Sequence, residues 1–272
     1  MVTDFEFANH RLSEFGFVVG HITTNGDTKT ISIGAELTFN TVKNNHSSVH
    51  SVTSSSYENV YTTELEIFKK NCNKSRDNMI LSSSEIRQLT RWLNKRGHYK
   101  FKPFDYNMDD DIHHYGSFNV DMITIAGQVI GLYLHFTSNA PYSFGEACIT
   151  KHMLLNPTDR MAIWGDGDEI YTIYPKIEIK CFSDGNLVLT NHTTENVIDI
   201  KNCKNGEIIT IDGEHKVIFS NKEEIHTTLP NDFNYSYFDI LIDEYGVQNE
   251  YSSTLPCEVS VAYMPIRKVG AY

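Results

Sequence analysis

Basic charge is scarce in this chain. Its 272 residues carry 23 Lys and Arg against 35 Asp and Glu, a formal net charge of −12. Such a surface repels phosphate backbones and excludes a protein that reads nucleic-acid sequence, although it leaves passage of DNA through an assembly possible. Cysteine is equally sparse. Cys72, Cys148, Cys181, Cys203 and Cys257 lie far apart with no C-x-x-C pair, which excludes a disulfide framework and predicts free, mostly buried thiols made in a reducing cytoplasm. No apolar run approaches the roughly 18 residues that span a bilayer, and the polar opening MVTDFEFANHR does not read as a secretory signal. Membrane insertion and individual export are therefore not expected.

Catalytic signatures are missing as well. The chain has no G-x-S-x-G elbow, no phosphate-binding loop, no dinucleotide fingerprint and no conspicuous Cys/His pairing. Three local clusters need weighing as metal sites. His46 and His50 stand four apart, but in a Ser/Asn-rich stretch without the Glu of a zincin helix. Asp109-Asp110-Asp111 precedes His113-His114, but neighbouring residues on a strand point to opposite faces, so the two imidazoles cannot share one ion. Gly165-Asp166-Gly167-Asp168-Glu169 spaces two Asp as calcium loops do, without the further oxygen ligands or the closing Glu. Each is better explained as loop or turn chemistry. The chain reads as non-enzymatic, with no metal and no cofactor.

What is present favours strands. There are 15 Tyr and 15 Phe, rings that pack well on pleated, half-buried surfaces. Residues 40–58 are polar and predict a long loop or an extended hairpin arm. From Tyr61 to Phe68 the sequence alternates, with Thr63, Leu65 and Ile67 on one face and Glu64 and Glu66 on the other. One helix is predicted, about 83–96. Ser82 and Glu85 form a capping box, and Ile86, Leu89, Trp92 and Leu93 share a face. Lys95 and Arg96 suit the C-terminal end, and Gly97 can adopt the left-handed conformation beyond it.

Strands resume at 117–125, and Ile130, Leu132, Leu134 and Phe136 alternate in a hairpin with them. Beyond about residue 150 short strands recur at roughly ten-residue spacing, with turns such as Asp184-Gly185-Asn186 and Asp212-Gly213, as in a β-sandwich. Acidity is uneven: residues 1–150 hold 13 Lys and Arg against 16 Asp and Glu, residues 151–272 hold 10 against 19. The expected organisation is mainly β, with a domain over 1–150 and a sandwich over 151–272.

Several stretches in their order resemble the distal tail (Dit) family of siphophages. They are Glu85-Ile86-Arg87-Gln88-Leu89-Thr90-Arg91-Trp92-Leu93, then His114-Tyr115-Gly116, then Gly131 to Phe136 closing on Ser138-Asn139-Ala140-Pro141-Tyr142. Asp232-Phe233-Asn234 and Val261-Ala262-Tyr263-Met264-Pro265-Ile266-Arg267-Lys268 complete the set. The resemblance covers nearly the whole chain. It implies an N-terminal ring-forming belt domain, a galectin-like C-terminal sandwich and a hexameric ring at the distal end of a phage tail, made in the host cytoplasm. The implied partners are further copies, the tail tube protein, the tip or hub protein and side-fibre or receptor-binding components. DNA would pass through the lumen without specific binding.

Two other classes stay open on the residues. A carbohydrate-binding adhesin would act through the sandwich, with Trp164, Tyr171 and Tyr174 as the aromatic anchors to test. A tail-associated glycan hydrolase would need a paired acid and base in a cleft, and no constellation supplies one.

Overall fold

The computed structural model describes residues 2–20, 36–43, 50–70, 79–105 and 112–268. His46, Cys72 and Asp109 to Asp111 lie outside the described residues. The chain divides into two compact units, Met1–Gly145 with Arg267–Tyr272, and Glu146–Ile266. Unit 1 is thus left at Gly145 and re-entered at Arg267.

Unit 1 is built on strands β1 (Val2–Phe7), β2 (His10–Arg11), β3 (Phe17–Gly20), β4 (Leu37–Lys43), β5 (His50–Tyr57) and β6 (Thr62–Lys69). After helix α1 (Ser83–Leu93) come β7 (Tyr99–Asp105), β8 (His114–Ile125), β9 (Gln128–Ser138) and β10 (Ser143–Phe144). Seven strands form one antiparallel sheet in the order β2-β1-β7-β8-β9-β6-β3. Its core face carries Phe5, Phe7, Leu65, Ile67, Phe101, Phe118, Leu132, Leu134 and Phe136, and α1 lays Leu89, Trp92 and Leu93 onto it. Burying a side chain of this size contributes about 1.5–3 kcal/mol.

Both halves of the capping box are made. The Ser82 hydroxyl accepts from the Glu85 N–H at 3.3 Å, and the Glu85 carboxylate accepts from the Ser82 N–H at 2.9 Å. The helix stops at Leu93, one turn short of the sequence expectation. Leu93 is the last residue that reaches the core, and Asn94 leaves helical geometry at ψ 78°. Lys95 then lies over the Tyr99 ring at 5.1 Å instead of capping a last turn.

Unit 2 contains β11 (Cys148–Leu154), β12 (Met161–Trp164), β13 (Tyr171–Ile173), β14 (Lys176–Cys181), β15 (Gly185–Asn191) and β16 (Val197–Cys203). They are followed by β17 (Ile208–Asp212), β18 (Val217–Ser220), the short helix α2 (Leu229–Asp232), β19 (Ile240–Ile242), β20 (Gln248–Ser253) and β21 (Cys257–Tyr263). A five-stranded sheet, β11-β21-β14-β17-β18, and a four-stranded one, β12-β20-β15-β16, enclose the core of a β-sandwich. Period-2 alternation explains it: Ile177, Ile179 and Cys181 point inward from β14 while Lys176, Glu178 and Lys180 point out. Cys181, Cys203 and Cys257 are free, buried members of this core.

Candidate interaction surfaces

Among the described residues no three His, Cys, Asp or Glu side chains are grouped to hold a metal ion. His50 is exposed on β5, apart from any such group. His113 and His114 are both buried. His113 exchanges main-chain hydrogen bonds with Phe144 at 2.8 Å, and His114 stacks on Tyr61 with ring centroids 4.6 Å apart. Burial, followed by the neighbouring His113, pushes His114 down to about 3. Asp166 and Asp168 lie in the loop after β12, where the Asp168 N–H donates to the Ile266 carbonyl at 2.9 Å. Main-chain bonds hold His113 and Asp168, and ring stacking holds His114.

Exposed apolar side chains mark surfaces instead. Among the described residues strands β4 and β5 pair only with each other, and no side chain of Leu37–Lys43 or His50–Tyr57 enters the core. Phe39 is 56 % and Val52 59 % exposed, with Leu37 and Val42 beside them. A bond from the Glu58 N–H to the Glu36 carbonyl at 3.0 Å fastens the base of the hairpin. An edge-on contact of Tyr57 with Tyr142 at 6.1 Å adds to it.

The three aromatic anchors proposed from the sequence fall on different elements. Trp164 ends β12 opposite Gln248 and is 62 % exposed. Its carbonyl accepts from the Tyr263 hydroxyl at 3.1 Å, and a Cβ on Gly246 would lie 4.0 Å from its ring. Tyr171 pairs with Ile242 on β19. Tyr174 lies past the end of β13 under Lys216, whose ammonium is 3.9 Å from that ring and 4.3 Å from the Tyr237 ring. Lys216 thus joins Tyr174 to Tyr237, while Trp164 borders the turn that carries Tyr245, which is 90 % exposed. No motif in the sequence points to Tyr245, one of 15 Tyr.

The comparisons agree with this architecture. A family described as phage tail protein N-terminal domain matches residues 1–140, and its companion, phage tail C-terminal domain, matches residues 142–263. The chain belongs to this family of phage tail structural proteins. Its fold is that of the distal tail proteins: the crystal structure of the Dit protein of phage SPP1 is similar with a TM-score of 0.66 at 11 % identity. That match covers 97 % of this chain and 99 % of the other. The baseplate of phage p2 in its activated conformation gives a TM-score of 0.47 at 8 % identity over 97 % and 98 %. No curated protein matches. Among the described residues no helix is long and apolar enough to cross a membrane.

Proposed function

We propose that the protein forms a closed, hexameric ring at the distal end of a phage tail, through which unit 1 joins the tail tube above to the hub protein below. DNA passes through the centre without specific contacts. The observation that carries this reading is the β4–β5 hairpin. An isolated two-stranded ribbon is marginal in water, and this one exposes Leu37, Phe39, Val42 and Val52. Seating it on a neighbouring copy would bury those side chains and offset the cost of ordering it. A head-to-tail contact that closes on itself gives a ring. Unit 2, with its larger acidic excess, serves as the platform for side-fibre or receptor-binding components. The virion tail is the working location, with synthesis and assembly in the host cytoplasm. The chain supplies architecture rather than catalysis.

Light scattering together with negative-stain imaging of the purified protein tests the reading. A hexamer-sized particle with an open centre supports it, and a compact monomer at high concentration counts against a self-closing ring.

A second reading is favoured by the exposed Trp164 beside the Tyr245 turn: unit 2 holds host saccharides on that platform. A glycan-binding screen with Trp164→Ala as control separates it from a purely architectural role.

A further inference from the structure

Two surfaces of unit 1 carry opposite charge. On β6 and β9 the side chains of Leu65, Ile67, Leu132, Leu134 and Phe136 enter the core, so Glu64, Glu66, Tyr133 and His135 occupy the opposite face of the sheet. Asp121 joins them from β8. His135 stands between two carboxylates, its Nε2 3.2 Å from Asp121 and its Nδ1 3.5 Å from Glu64, and the Tyr133 hydroxyl donates to Glu64. The Asp121 side chain is 72 % exposed. Farther along the same sheet Glu6 registers against Lys102, so charge there is balanced. Lys69, the cation at the end of β6, reaches the helix side, where it bonds Glu85 at 2.6 Å. Among the described residues, strands β6, β8 and β9 place Glu64, Glu66 and Asp121 on this face and no Lys or Arg.

The helix side is basic. With Leu89, Trp92 and Leu93 in the core, α1 exposes Arg87 and Arg91 one turn apart. Together with Ser83, Ile86, Thr90 and Asn94 they line a shallow groove. Among the described residues no ion pair holds either guanidinium. Two planar forks beside a partly apolar floor suit carboxylates presented in a row.

The core and the sheet separate these surfaces within one protomer, so they cannot meet there. Two copies placed acidic face to acidic face would repel. Acidic face against basic groove is attractive, uses one of each surface per copy, and leaves one of each free to continue the chain of contacts. That is the head-to-tail contact a ring requires.

We propose that the Glu64/Glu66/Asp121 face of one copy docks on the Arg87/Arg91 groove of the next, an inference that rests on the ring reading above. Charge reversal tests it. Mass is measured by light scattering at low salt for the wild type, Glu64→Lys/Glu66→Lys, Arg87→Glu/Arg91→Glu, and an equimolar mixture of the two variants. Each variant alone presents like charge at every contact and should run at the monomer mass of 31.1 kDa. The mixture restores opposite charge at every contact and should recover the wild-type mass, with the variants alternating. Added salt should weaken the wild-type assembly. If both variants keep the wild-type oligomer, or the mixture fails to recover it, the assignment of these surfaces is wrong while the ring stands. If the wild type is itself a monomer, the ring reading fails and the docking contact fails with it.

Discussion

The Trp92 indole N–H donates to the Phe7 main-chain carbonyl at 2.9 Å, tying α1 to β1 across 85 residues of sequence. The same ring stacks on Phe15 at 4.4 Å and on Phe5 at 5.8 Å. Trp92 therefore connects the helix, the first strand and the turn before β3 through one side chain. Trp92→Ala removes this packing and the indole hydrogen bond to the Phe7 carbonyl, and is expected to destabilise unit 1 by about 3–5 kcal/mol. Trp92→Phe keeps much of the packing and should cost less. Chemical denaturation followed by circular dichroism measures both, and equal losses for the two variants would show that the hydrogen bond dominates.

His114 predicts a pH dependence with a defined sign. Its imidazole is pushed down to about 3 from an ordinary 6.5 by burial and by His113. The folded state resists a proton that the unfolded chain accepts near 6.5. The stabilisation is therefore complete above pH 6.5, declines as pH falls toward 3, and changes no further below that. The loss is on the order of 5 kcal/mol. His114→Phe should fill the position against Tyr61 and flatten the stability profile between pH 6.5 and 3. Glu85, held at about 2 instead of 4.5 by hydrogen bonds from Lys69 and the Ser82 N–H, acts in a lower window and is common to both proteins. Parallel profiles for wild type and variant across pH 3–6.5 would refute the assignment.

In unit 2 the Glu207 carboxylate is fully buried. It accepts from the Ser220 hydroxyl at 2.6 Å and the Lys204 N–H at 2.8 Å, and lies 2.8 Å from His226 Nδ1. On the other side of that ring, Nε2 is 3.3 Å from Asp232. The network fastens β17, β18 and α2 together. Glu207→Leu leaves its partners unpaired and is expected to cost about 3–5 kcal/mol, whereas Glu207→Gln, which keeps an acceptor oxygen, should cost less. Thermal unfolding should show unit 2 melting earlier in the Leu variant with unit 1 little changed. A single transition shifted as a whole would mean that the units unfold together.

The readable parts of this chain are those governed by local rules. Alternation between Tyr61 and Phe68 marks a strand because the inward side chains meet a core, and Ser82 with Glu85 marks a helix start because both partners lie within one turn. The sheet order is not readable, since β1 pairs with β7 across most of unit 1 and no short-range signal records it. The acidic face shares that origin. Glu64 and Glu66 are legible as the outer side of one strand, but Asp121 and His135 join them only through the register of β8 and β9. The return of the chain to unit 1 at Arg267 leaves no trace in composition. Trp164 is legible as one of only two Trp in the chain, whereas Tyr245 is one Tyr among 15 and its exposure appears only in the fold.

The hairpin gives the most direct separation of folding from assembly. Phe39, Val42 and Val52 are exposed and belong to neither core, so replacing all three with Ser should change the stability of the monomer by no more than about 0.5 kcal/mol per site. If these side chains seat on a neighbouring copy, the same replacements strip apolar area from each contact, at about 25 cal/mol for each Å² no longer buried. The triple variant should therefore unfold at nearly the wild-type denaturant midpoint while its oligomer dissociates at a higher protein concentration. Removing residues 42–56 should weaken ring formation further. Sedimentation across a dilution series reads the dissociation, and denaturation of the same samples reads the fold. An unchanged oligomer in both variants would mean that the hairpin serves some other partner, and closure of the ring would then have to rest on the charged faces of unit 1 alone.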